Sequence, residues 1–211
     1  RDAIFVLTKT INNCVSTGST VNLCTIDVAK AFDKIIHKTL FIKLMNRKVP
    51  LCFLNILIDW YGKCACQVKW KNVFSRLFSI HRGVRQGGIL SPILFAVYVD
   101  DALEKLIASG LGCRYFGFNI GALMYADDLI LMAGSIVNLQ KLISLTEDLF
   151  NEINLKINIA KCNTMRVGNR CNVKCSDVIL SANIISWCFE IKYLGIVFQQ
   201  ANYLKVNVHS C

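Results

Sequence analysis

Residues 121–134, GALMYADDLILMAG, set two adjacent aspartates, Asp127 and Asp128, inside an apolar stretch. A third acid, Asp27, ends the apolar run VNLCTID at 21–27. Carboxylates that share a site repel one another, and one of them is normally forced to stay protonated. A hard divalent cation removes the difficulty: Asp oxygens and water suit Mg²⁺, which keeps positions open for phosphate oxygens. Two such ions about 3.5–4 Å apart can clamp the attacking and leaving oxygens of a phosphoryl transfer. A plainer reading stands beside this one, because Asp favours turns and turn chemistry alone explains an ADD sequence. Asp100–Asp101 serves as a contrast. It falls in a predicted helix over 92–108, where successive residues point to different faces, and reads as surface. In DVAKAFD, just after the first strand, Asp33 suits a turn or cap and Lys30 a solvated position. Phe32 is a large ring five residues after Asp27, and two readings stay open for it: an ordinary core residue, or a ring abutting the sugar of a nucleotide held over the metals.

The elements that must position these acids follow from periodicity and breakers. Ile4, Leu7, Ile11, Cys14 and Val15 predict a helix over 1–16, broken by TGST. A strand is predicted over 21–27. Helices are predicted over 37–48 and 50–62, the second with Pro50 near its start and Gly62 past its end. ACQVKW and FSRLFSI read as two strands joined by KN, followed by the glycine-rich HRGVRQGG. Ser91 is placed to cap a helix that begins at Pro92 and runs to Gly110. NIGALMY and LILMAG read as a hairpin with ADD as its tight turn. A helix over 136–154, a strand LKINIAKCNTMRV, and short strands DVILSA and IKYLGIVF complete the chain. Without the insertion at 37–80, the order from 21 to 167 is βαββαβ, a ferredoxin-like α+β layout with helices on one face of an antiparallel sheet. That layout sets the first strand beside the central hairpin, and so Asp27 beside Asp127 and Asp128, a hundred residues away in sequence.

Composition bounds the rest. The 211 residues are 54% hydrophobic and 18% charged, with a mean hydropathy of +0.45. No run of about 18 purely apolar residues exists, which argues against a spanning helix. The preferred reading is a piece of a larger protein with apolar faces meant for other parts, in keeping with Arg1 as first residue. No signal or transit peptide is visible, and the expected location is intracellular, cytoplasmic or nuclear. Lys and Arg number 24 against 14 Asp and Glu, a net +10. That excess favours nucleic acid or an anionic membrane surface, though solubility alone also explains it. The 11 cysteines are about 5% of the chain, below disulfide-scaffold density, and read as free thiols in a reducing compartment. Cys64 and Cys66 form CxC, Cys171 and Cys175 form CxxxC, and His37, His81 and His209 complete no obvious zinc pattern.

CTIDVAKAFDKIIH, RGVRQGGILSPILF, YADDLIL, NLKINIAKCNTM and IKYLGIVF, in this order and spacing, resemble the reverse transcriptases. They are most similar to the non-LTR (LINE-like) retrotransposon branch, with group II intron enzymes close by. The resemblance covers about residues 1–198 and implies a right-hand polymerase. By it, 1–20 is a remnant of the fingers, 21–36 palm, 37–80 fingers or insertion, 81–167 palm, and 168–211 the primer-grip region leading to a missing thumb. Asp27 and Asp127 are implied to bind both metals, Mg²⁺ or alternatively Mn²⁺, with Asp128 completing the set. Phe32 is implied as the sugar gate favouring dNTP. Gln86 and Gly87 contact the incoming nucleotide and template base, and Arg85 supports the loop or touches phosphate. Tyr125 packs near the primer terminus, Lys161 protonates the leaving pyrophosphate, and Tyr193, Leu194 and Gly195 belong to the primer grip. The implied partners are an RNA template, a DNA primer, dNTP and the rest of the parent polypeptide, including an endonuclease.

Gly88, Ile89 and Ile159 depart from commoner choices in the family. Upstream basic fingers residues, a thumb and an endonuclease are not in the chain, so the isolated piece is expected to be inactive and poorly soluble. Two alternatives stay open: a catalytically dead nucleic-acid-binding remnant, and a maturase-like enzyme of the same fold.

Overall fold

The computed structural model describes residues 2–207; His209 and Cys211 lie outside the described residues. In chain order the elements are α1 (Asp2–Ser16), β1 (Val21–Asp27), α2 (Ala31–Lys34), α3 (His37–Asn46) and α4 (Leu51–Gly62). Four two-residue strands follow, β2 (Ala65–Cys66), β3 (Lys69–Trp70), β4 (Val73–Phe74) and β5 (Phe78–Ser79), then α5 (Ser91–Ala108). Next come β6 (Cys113–Tyr115), β7 (Phe118–Ile120), β8 (Ala122–Tyr125), β9 (Asp128–Ala133) and α6 (Ile136–Glu152). A 3₁₀ turn (Ile159–Lys161) precedes β10 (Asn163–Val167), β11 (Val178–Leu180), β12 (Asn183–Ile185), β13 (Glu190–Tyr193), β14 (Ile196–Gln199) and β15 (Lys205–Asn207). Two compact units result, one of residues 1–29 and 101–211, the other of residues 30–100.

The first unit is built on a four-stranded antiparallel sheet in the order β10-β1-β9-β8. This is the order that βαββαβ chain reversal predicts. Period-2 alternation gives each strand two faces. On one face Val21, Leu23, Ile130, Met132, Met165 and Val167 form a core with Leu7 and Ile11 of α1 and with Ile191, Tyr193 and Phe198 of the β13–β14 hairpin. The opposite face, Cys24, Ile26, Leu129 and Leu131, is buried as well. α6 packs on β1 and β9, and its buried stripe of Leu139, Leu142, Ile143, Leu149 and Phe150 suits that second face. Ser135 caps α6, its hydroxyl accepting from the Asn138 N–H at 3.1 Å. α1, which precedes the βαββαβ run of residues 21–167, packs in the core on the other face.

Other expectations shift locally. The segment read as one long strand, LKINIAKCNTMRV, crosses Asn158, whose N–H donates to the Asp27 carbonyl at 2.8 Å. It then turns through Ile159–Lys161 before β10 begins at Asn163. NIGALMY divides at Gly121 into β7 and β8, and β7 pairs with β6 in a hairpin not predicted. IKYLGIVF is the hairpin β13–β14, turning at Leu194 and Gly195, both at positive φ.

The second unit carries α2, α3, α4 and the small strand pairs β2·β5 and β3·β4. Its core holds Leu40, Leu44, Leu54, Leu57, Phe95 and Tyr98. Gly83, at φ 88, brings its backbone against Asp33; an added Cβ would meet the Asp33 Cα at 3.0 Å. Asp100, read from sequence as surface, is ion-paired to Arg47 at 2.7 Å, while Asp101 is exposed. Among the described residues no helix is long and apolar enough to cross a membrane.

Candidate active site

The sheet face that begins in apolar rows ends in acids. Along β1, Val21 and Leu23 are followed on the same face by Thr25 and then Asp27. The register sets Thr25 opposite Ile130 on β9 and opposite Asn163 on β10, and Asp27 opposite Asp128. The hairpin turn needs only Ala126 and Asp127: Ala126 takes φ 51, and Tyr125 pairs with Asp128 across it. Asp128 is thus the first residue of β9, not part of the turn. The Asp127 carbonyl accepts from the Val28 N–H at 3.4 Å, tying the turn to the end of β1.

Electrostatics follow from this register. Burial, then the charges of Asp127 and Asp27, push the Asp128 carboxyl above the ordinary carboxylate range, and Lys161 partly opposes them. The Lys161 ammonium lies 3.4 Å from Asp27 Oδ1. Asp27 and Asp128 line a cavity of about 320 Å³ together with Lys161, Asn163, Lys192 and Tyr193. Asp127 is not in that lining, though its charge reaches Asp128. Burial pushes the Cys162 thiol next door up, a hydrogen bond to the Asp27 backbone opposes it, and the charge of Asp27 adds to it.

The donors match a hard divalent cation in kind. They are carboxylate oxygens, and their mutual repulsion is what such an ion would relieve. Among the described residues no three His, Cys, Asp or Glu side chains form a ready-made cage. Water and phosphate oxygens ordinarily complete a Mg²⁺ shell.

The remaining candidates divide by unit. In the first unit, Tyr125 is 61% exposed beside the turn. Tyr193 is buried, and its hydroxyl donates to the Leu123 carbonyl at 3.3 Å. Burial and the charge of Asp128 push its phenol up. Leu194 and Gly195 line the cavity from the β13–β14 turn. In the second unit, Phe32 is half-buried and stacks on Phe95 with centroids 4.9 Å apart. Gln86 donates from Nε2 to Asp33 Oδ1 at 3.2 Å. Asp33, Arg85 and Gln86 line a cavity of about 490 Å³. Gly87 has φ 78 and open space around it, so its requirement is conformational. The close approach belongs to Gly88, where a Cβ would stand 2.8 Å from Ser91 Oγ and 3.0 Å from the Arg85 carbonyl. The Ser91 hydroxyl donates to that carbonyl.

Thr25, Asn163 and Lys192 line the carboxylate cavity and were not singled out from sequence. Period 2 was the available signal for Thr25, two residues before Asp27 on one strand face.

Residues 5–198 match the family described as reverse transcriptase (RNA-dependent DNA polymerase). The chain is 32% identical over 193 residues to the Pol polyprotein of the type-2 retrotransposable element R2DM of Drosophila melanogaster, covering 88% of this chain and 18% of that protein. It is 27% identical over 193 residues to the RNA-directed DNA polymerase from mobile element jockey of Drosophila funebris, covering 89% and 20%. The chain therefore spans about a fifth of these relatives. Among solved structures, apo telomerase from Candida tropicalis aligns over 98% of this chain and 39% of its own, at TM-score 0.67 and 15% identity. Telomerase from the same organism in complex with a fragment of telomeric RNA aligns over 99% and 32%, at TM-score 0.70 and 14% identity. At that identity the likeness concerns the fold, in which the sheet end bearing Asp27, Asp127 and Asp128 is embedded. The chain belongs to the reverse transcriptase family.

Proposed function

We propose that the chain is the polymerase domain of a non-LTR retrotransposon protein and joins dNTPs to a primer 3′-hydroxyl on an RNA template. The observation that carries this reading is the Asp27–Asp128 rung with Asp127 in the adjoining turn. Enzymes of this family use divalent metal ions. Here Asp27, Asp127 and Asp128 would hold Mg²⁺, or Mn²⁺ in its place. Such ions supply charge neutralisation and polarisation of phosphate oxygens. The chain's own residues do the rest. Ladder hydrogen bonds fix the backbone at Asp27 and Asp128, which limits the reorganisation left for the reaction. Lys161, exposed and 3.4 Å from Asp27, is the proposed donor of a proton to a leaving pyrophosphate oxygen.

Tyr125, Leu194 and Gly195 offer exposed or cavity-lining positions for a primer strand, with Tyr193 bracing β13 from beneath. In the second unit, Phe32, Arg85, Gln86 and Gly87 are proposed for the nucleotide, as the family resemblance implies. That unit also supports a polyanionic partner. Between Asp59 and Asp100 the sequence has no acid, yet carries Lys63, Lys69, Lys71, Arg76, Arg82 and Arg85.

The test uses a protein carrying this domain together with the flanking segments its longer relatives possess. Asp127→Asn and Asp27→Asn should each lower primer extension by at least about 10³-fold, the scale of losing central transition-state stabilisation. RNA binding in EDTA should be unchanged. Extension retained near wild-type levels in Asp127→Asn would end this reading. RNA binding by an unsubstituted protein that extends no primer with Mg²⁺ or Mn²⁺ would favour the binding-only alternative.

A further inference from the structure

The opposite end of the same sheet carries a second polar cavity, of about 420 Å³. It is lined by Ser19, Thr20, Asn22, Ser135, Arg166 and Arg170 among others, and no acid is in the lining. Asn22 and Asp27 are five residues apart on β1, which separates the two sites by about 17 Å of strand.

Arg166 is the reason to look here. It sits inside β10, directly opposite Asn22, and is only 8% exposed. Its Nε donates to Asn22 Oδ1 at 3.1 Å and Nη1 to the Val173 carbonyl at 2.7 Å, both neutral acceptors. Among the described residues it makes no ion pair. A guanidinium carries five N–H donors, so three have no acceptor among the described residues. A buried cation without an anion is costly, and buried charges are as a rule paired. Asn22 is held in turn, its amide donating to the Ala133 carbonyl at 3.2 Å. The guanidinium is thereby held between this cavity and a neighbouring one that Asp177 also lines.

Two further features add positive potential to the same cavity. Arg170 is a second guanidinium, exposed at the rim. Its backbone N–H donates to Thr20 Oγ1 at 3.1 Å. The backbone reaches that position through Gly168, at φ 119, where any Cβ would stand 2.7 Å from the Ser19 carbonyl. The 17-residue α6 begins at the cavity wall and has no acid in its first turn to offset its dipole.

We infer that this cavity binds a phosphate group, with Arg166 as the buried counter-charge and Arg170 as the gate-side contact. The chemistry is that of a tetrahedral oxyanion met by guanidinium forks and hydroxyls. Its source is either a free phosphate or a phosphodiester of a nucleic-acid strand. The inference does not rest on the polymerase reading, since no carboxylate or metal takes part.

The experiment titrates a protein carrying this domain with the flanking segments its longer relatives possess, calorimetrically in EDTA at constant ionic strength, with two probes. One is inorganic phosphate; the other is a twelve-nucleotide single strand without terminal phosphates, which offers only phosphodiesters. The expected result is saturable one-site binding of at least one probe. It should weaken at least tenfold in Arg170→Glu and stay within twofold in Lys141→Glu, which removes the same charge from an exposed position on α6. Phosphate binding identifies a free-phosphate site; binding of the strand alone identifies a backbone site. Arg166→Gln should abolish binding if its melting curve shows it folded, and Arg170→Glu decides the matter where it is not. No saturable binding of either probe, or equal loss in Arg170→Glu and Lys141→Glu, would overturn the inference.

Discussion

Asp27 and Asp128 form the last rung of the β1–β9 ladder, and the charge of Asp27 helps hold the Asp128 carboxyl above its ordinary range. Burial is the largest cause and the adjacent Asp127 the second, with Lys161 opposing. A carboxyl raised on folding contributes stability that is fully present below its unfolded pKa, about 3.9. That stability is lost as pH rises through the folded value. Asp128→Asn escapes the loss. Its melting temperature should exceed wild type by about 1–2 °C at pH 7, the scale of a solvent-screened charge contact. The gain should vanish at pH 3. Thermal melts followed by circular dichroism at both pH values check this, and a variant less stable than wild type at pH 7 would contradict it.

Divalent cations should act on the same rung. Mg²⁺ or Mn²⁺ at about ten times its dissociation constant should raise the wild-type melting temperature by roughly 3 °C through mass action. Asp27→Asn and Asp128→Asn should lose most of that response, while Asp59→Asn, in an exposed pair with Lys63 at 2.7 Å within the other unit, should keep it. Scanning calorimetry with and without the metal reads the effect without any turnover. An equal response in all four proteins would place the cations elsewhere.

The rung was legible because β1 and β9 are long, apolar and adjacent in a ferredoxin-like order, so the meeting of Asp27 with the ADD segment followed from topology. Lys161 was assigned to a strand because apolar residues alternate through 155–159. The backbone instead spends itself on the Asp27 carbonyl and turns, which is how the lysine comes to face Asp27. The resemblance assigns Tyr193 to the primer grip; its burial with Ile191 on one face of β13 is a matter of period 2. β6 and β12, three residues each, are too short for any period to register, whereas DVILSA already marks β11. Arg166 shows no sequence signal at all; only the register against Asn22 makes it a buried cation.

Lys161→Gln separates positioning from folding. The Asp27 pair is exposed on the lysine side, 66% against 24%, so its loss should change stability by no more than about 1 kcal/mol. If Lys161 donates a proton to the leaving group, extension should fall about 10²-fold and the alkaline limb of the pH–rate profile should disappear. A fall in rate that leaves the limb intact would limit the residue to holding Asp27.

Tyr193→Phe deletes one hydroxyl from a buried ring. It leaves the Leu123 carbonyl without that donor and should cost about 0.5–1.5 kcal/mol. β8 ends at Tyr125, beside the acidic turn, so any loss of extension should track loss of stability. A large kinetic defect in a variant of unchanged melting temperature would mean that the phenol touches substrate.

Among the glycines of the first unit, the closest backbone approach is at Gly112. A Cβ there would fall 2.3 Å from both the Cα and the N of Gly121, where no flexible side chain can yield. Gly121 is not a bystander, because its carbonyl accepts from the Met132 N–H at 2.9 Å and so anchors the far end of the β8–β9 hairpin. Gly112→Ala must therefore push β6–β7 away or pull β8 out of register, at a cost of roughly 3 kcal/mol or more. That corresponds to a drop of about 6–12 °C in melting temperature. Gly110→Ala is the matched comparison. Its φ of 70 strains an alanine, but nothing lies within 4 Å of the added Cβ. It should cost only about 1 kcal/mol. Equal destabilisation by the two variants would show that backbone strain, not the Gly112–Gly121 approach, sets the glycine requirement.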